Sequence, residues 1–74
     1  MPPLPRISGK DTVKAFGQDG WTFVRQKGSH MILVKDGNWA TLSVPDHREL
    51  APGTLRSLIR ASGLTVDGFL ALLD

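Results

Sequence analysis

Three glycine-bearing breaks, at Gly20, at Gly28-Ser29 and at Asp36-Gly37-Asn38, cut the middle of this chain into apolar stretches too short to be helices. Residues 21–27, 30–34 and 39–44 are rich in β-branched and aromatic side chains and read as strands, the third closed by Pro45. Neighbours joined by such brief turns pair antiparallel, because a parallel pair needs a crossover of about a dozen residues or more. A three-stranded antiparallel meander is therefore predicted. Alternation places Trp21 and Phe23 on one face of the first strand and Val24 on the other, and gives His30, Ile32 and Val34 a common face of the second.

The flanks carry helix punctuation. Residues 1–7 are proline-rich and read as an extended lead-in. Ser8-Gly9-Lys10-Asp11 has the spacing of a capping box with Asp in place of Glu, so a helix starts at Gly9 or Lys10 and ends by Gly20, with Val13, Ala15 and Phe16 as its apolar face and Gly17 as a weak point. Pro52-Gly53 opens a second helix with the stripe Leu55, Leu58 and Ile59, and Gly63 stops it. Thr65 caps a last short helix carrying Val66, Phe69, Leu70 and Leu73 at helical spacing. The expectation is a single α+β domain over residues 1–74, of order α-β-β-β-α-α, its sheet packed on the helices. In so small a core Trp21 and Trp39 are expected to pack, with base stacking as the alternative use of an indole.

A chain of 74 residues lies near the lower end of what folds without staples, so function is expected on a surface and not in a deep cavity. There is no cysteine, hence no disulfide framework or thiolate zinc site, and two histidines alone make a poor metal site; neither metal nor cofactor is expected. No apolar run approaches a membrane span, and Met1-Pro2-Pro3-Leu4-Pro5 lacks the charged head and apolar stretch of a signal peptide, so a cytoplasmic location is expected. All nine Lys and Arg residues fall at or before Arg60, against five acidic residues in that span, which gives residues 1–60 a net charge of +4. Such a bias suits a polyanionic partner.

Chemistry points to Val24-Arg25-Gln26-Lys27-Gly28-Ser29-His30, where a histidine follows a basic, glycine-broken bend and opens an apolar strand beside what reads as a mobile joint. Histidine takes or gives a proton near neutral pH without a large shift, and Arg25 and Lys27 supply charge for a phosphate. A half-buried, hydrogen-bonding histidine at a strand edge is the structural alternative. Gly28 reads first as a turn glycine, with close approach of a phosphate as a second benefit, and Ser29 as a residue that bonds the bend.

Taken with Leu4-Pro5, Ser8-Gly9-Lys10, Gly20-Trp21, Val44-Pro45-Asp46-His47 and the run from Glu49 to Arg60, this segment closely resembles the HicA family of bacterial toxin-antitoxin pairs, in the family's order and spacing from about Leu4 onward. The resemblance implies an mRNA interferase, an endoribonuclease with a fold similar to a double-stranded-RNA-binding domain, its essential histidine matched by His30, and a HicB-like antitoxin protein as the partner that occludes the site. Phosphate binding then falls to Arg25, Lys27, Gly28 and Ser29. His47, Arg56 and Arg60 are secondary candidates. His47 could supply a complementary acid but is read as bonding a loop, since the length of the third strand would carry it to the far end of the sheet from His30. The family's loop after this position is often longer and glycine-bearing, whereas here His47 runs straight into Arg48-Glu49-Leu50. Arg56 and Arg60 lie one turn apart and suit an RNA backbone, acidic groups of the antitoxin, or solvent. The rival reading, a non-catalytic double-stranded-RNA-binding module, calls for clustered lysines at the start of its last helix, and Pro52-Gly53-Thr54-Leu55 has none.

Overall fold

The computed structural model of the chain describes residues 3–73, leaving Met1 and Pro2 of the expected lead-in, and Asp74, outside the described residues. Its elements follow the predicted order: α1 (Gly9–Gln18), β1 (Thr22–Lys27), β2 (His30–Val34), β3 (Leu42–Pro45), α2 (Pro52–Ser62) and α3 (Val66–Leu70).

Helix α1 begins as its residues demand. Extended Ser8 accepts a bond at Oγ from the Asp11 N–H, at 3.0 Å, and Asp11 adds a negative charge to the positive end of the helix. The buried face differs from the expected one. Thr12, Ala15 and Phe16 are enclosed, while Val13 is only partly buried. Burying Thr12 is tolerable because its hydroxyl donates to the Ser8 carbonyl at 2.8 Å.

The sheet is the antiparallel meander β1-β2-β3, with β2 in the middle. Met31 and Leu33 of β2, with Leu42 and Val44 of β3, join Phe16, Leu55, Ile59 and Phe69 in one core cluster, so α1 and α2 cover the same face. His30, Ile32 and Val34 lie on the opposite pleat. Ile32 stands outside that cluster.

Two strand expectations are corrected. β1 starts at Thr22, and Trp21 is buried just ahead of it, edge-on to Phe16 with ring centroids 6.4 Å apart. Phe23 pairs with core-facing Leu33 and so keeps the side it was expected to share with Trp21, yet it stays 48% exposed. A bulge at Val24, itself 45% exposed, then resets the pairing between Phe23 and Arg25 and puts Arg25 and Lys27 on the opposite face. β3 is shorter than expected. It begins at Leu42, and Trp39 lies outside the ladder and outside the core. The pairs Met31↔Val44 and Leu33↔Leu42 seat four apolar side chains on the helices, and continuing that register back to Trp39 would require Asp36 of the turn as its partner.

Pro52 occupies the first turn of α2, and Gly63 ends it in the left-handed region at φ 84°. Thr65 Oγ1 accepts from the Gly68 N–H at 3.0 Å and starts α3, which delivers Phe69 into the core, its ring 5.1 Å from that of Phe16. The chain order, the cap residues and the stop of α2 at Gly63 are those expected, whereas α3 ends at Leu70 and leaves Leu73, expected at helical spacing, beyond it.

Candidate functional site

Side chains paired across an antiparallel ladder project from the same face, so the register builds the open surface row by row. Lys27, His30 and Pro45 form the row at one end; Arg25, Ile32 and Ser43 form the next; Thr22 and Val34 follow. Direct cross-strand neighbours lie about 5 Å apart and successive rows about 7 Å apart. The imidazole is thus flanked by Lys27, with Arg25 one row behind. His30, Arg25 and Lys27 are all exposed, and among the described residues no side chain bonds the His30 ring. Ile32, only 8% exposed, is shielded between Arg25 and Ser43. Ser43 was not singled out from sequence. The alternation Leu42-Ser43-Val44 was the available signal, because two buried neighbours send the residue between them to the other face.

The expected mobile joint is a braced two-residue turn. Lys27 pairs with His30, leaving Gly28 and Ser29 as the loop, and Gly28 takes φ 60° at the first central position, as a type II′ turn requires. A Cβ there would meet nothing within 4 Å, so glycine is needed for its backbone angle and not for space. The Asp46 N–H donates to the Ser29 carbonyl at 2.7 Å, and Gln26 Nε2 donates to the Gly28 carbonyl at 3.2 Å. Ser29 therefore holds the bend through its main chain and leaves its exposed hydroxyl to the surface. The Gly28 and Ser29 N–H groups donate no hydrogen bond among the described residues.

His47 is not at the far end of the sheet. Because His30 pairs with Pro45, His47 follows two residues beyond the partner of His30 and lies at the same end. Its carbonyl accepts the Gly9 N–H at 2.8 Å, so the main chain performs the expected structural role while the side chain stays exposed. Arg56 and Arg60 are on α2, which covers the other face, and they border a shallow groove of about 170 Å³ with Ile59, Leu64 and Val66. The fold does not bring them to His30. A larger groove of about 380 Å³, among Ile7, Lys14, Gln18 and Leu73, lies along α1. The His30 surface is open and suits an extended ligand. Among the described residues no three His, Asp or Glu side chains come together as metal ligands, and no helix is long and apolar enough to cross a membrane.

The fold and this surface define a small α+β domain that presents one histidine beside Lys27, with Arg25 one row behind, on an uncovered sheet face. Its family follows from comparison with known proteins. The family model described as the HicA toxin of bacterial toxin-antitoxin matches residues 9–64, and the chain belongs to that family. The fold is similar to a solved structure titled as a toxin-antitoxin complex from Streptococcus pneumoniae, with a TM-score of 0.70 and 32% identity over 78% of this chain and 98% of that one. No curated protein sequence matches.

Proposed function

We propose that this chain is an mRNA-cleaving endoribonuclease toxin that needs no metal, works in the cytoplasm and is neutralised by a HicB-like antitoxin. The observation that carries this reading is the row Lys27, His30, Pro45 with Arg25 behind it, an exposed imidazole fixed on a strand beside two cations. The α-β-β-β-α core with both helices on one face supports kinship with the double-stranded-RNA-binding fold.

In the proposed reaction the ribose 2′-oxygen attacks the adjacent phosphorus as its proton passes to a base. The bond from phosphorus to the 5′-oxygen then breaks as that oxygen receives a proton, leaving a 2′,3′-cyclic phosphate and a 5′-hydroxyl. His30 performs one of these proton transfers. Lys27, Arg25 and the unbonded N–H groups of Gly28 and Ser29 hold the non-bridging oxygens, whose charge grows in the transition state. The second transfer falls to a group at the same end of the sheet, where His47 is the titratable candidate. Arg56 and Arg60 take no part in this site.

Purified protein incubated with RNA in EDTA, compared with a folded His30→Ala variant, tests the reading. Cleavage is expected to yield cyclic phosphate ends and to fall by about 10²- to 10⁴-fold in the variant. Equal cleavage by both proteins, or 3′-hydroxyl ends, would reject it. RNA bound but never cut would return the chain to the non-catalytic binding module. His47→Ala is expected to alter one limb of the pH–rate profile, and expression without the antitoxin is expected to arrest growth.

A further inference from the structure

Trp39 is the largest apolar side chain on the surface, 101% exposed, and contributes nothing to the core that Trp21 helps to build. An indole usually buries about 150–250 Å² in a folded protein, so folding does not account for its placement. Nor does it hang from a slack loop. The Asn38 N–H donates to the Lys35 carbonyl at 3.1 Å, the Ala40 N–H donates to Asn38 Oδ1 at 2.8 Å, and Gly37 adopts φ 78° between them. Lys35 is tied to Asp19 beyond α1 by an ion pair of 3.1 Å. Backbone bonds on both sides of Trp39 thus present its ring from an ordered turn.

The turn follows β2 at the end opposite His30. The four steps of strand from His30 to Val34 span about 13 Å, and the open face along them carries Arg25, Ile32, Val34 and Ser43. We propose that Trp39 is a stacking platform for an unpaired base of the RNA, a few nucleotides from the phosphate held beside His30. This rests on the ribonuclease reading. Single-stranded RNA combines what the two ends of the sheet offer to bind, with phosphates for the cations and an uncharged π-face for the indole. The exposed carboxylate of Asp36, three residues before Trp39, repels a phosphate or an acidic peptide at that spot but not the face of a base.

The test uses the His30→Ala protein and a labelled single-stranded oligoribonucleotide, with anisotropy and indole fluorescence as readouts. Binding should quench the exposed indole. Adding Trp39→Ala should weaken affinity roughly ten- to hundredfold without changing the salt slope, because stacking releases no counterions. Trp39→Phe should recover most of the affinity, and a dinucleotide too short to reach should bind all three proteins alike. Equal affinity with and without the indole would overturn the platform and leave the ribonuclease reading standing. Absence of RNA binding even at low salt with Trp39 intact would overturn both. Unchanged RNA affinity with lost antitoxin binding in Trp39→Ala would assign the indole to the protein partner instead.

Discussion

Gly9 and Pro45 touch so closely that a Cβ built on Gly9 would overlap the Pro45 carbonyl oxygen, with Met31 Cε 3.1 Å away. Pro45 is the ladder partner of His30, and the neighbouring Gly9 N–H is bonded to His47, so the first turn of α1 clamps the end of the sheet that carries the histidines. A methyl group at Gly9 has no room, and backbone is what it would meet. Gly9→Ala is expected to cost about 2 kcal/mol, within the usual range for overpacking, and to lower Tm by roughly 10 °C. Thermal unfolding followed by circular dichroism checks this; an unchanged Tm would mean that α1 does not seat on β3 as described.

Gly17 sits in the same helix under opposite conditions. A Cβ there meets nothing within 4 Å, and the position is exposed. Gly17→Ala should therefore stabilise the protein by roughly 0.5–1 kcal/mol through helix propensity and a less flexible unfolded chain. Measured side by side in urea, the two alanine variants should move the midpoint in opposite directions.

Phe69 lies beyond residues 9–64 that match the family model, yet it is fully buried against Phe16. Phe69→Ala is expected to cost about 3–5 kcal/mol, which is most of the stability of so small a domain. A denaturation midpoint equal to that of the parent chain would show α3 to be undocked.

Arg25 and Lys27 are exposed on the His30 face, where their side chains add little to the core. Replacing either with alanine should leave stability within about 0.5 kcal/mol while reducing the salt slope of single-stranded RNA binding by about 0.7 for each phosphate no longer neutralised. Titrations at several salt concentrations read this directly. A slope identical to the parent's would place the phosphates elsewhere.

Much of this molecule is legible in local sequence because its signals act over a few residues. Ser8 and Thr65 cap the turns that follow them, Gly63 stops α2, Gly28 makes a two-residue turn, and apolar spacing marks the helix stripes. The candidate site was legible for the same reason, since Arg25, Lys27 and His30 flank one hairpin turn whose pairing places all three on one face. Where local signals competed with long-range packing, the packing prevailed. Seating Leu42 and Val44 opposite Leu33 and Met31 set the start of β3 and left Trp39 in solvent, and the Val24 bulge put Phe23 and Arg25 on opposite faces where simple alternation would give them one. Ladder register likewise returned His47 to the end that holds His30, and the passage of Gly9 over Pro45 turned a helix-start glycine into a packing requirement. Cap and turn preferences belong to neighbouring residues and are therefore written in the chain; register and close approach belong to residues far apart in sequence, and only burying a common core decides between the alternatives.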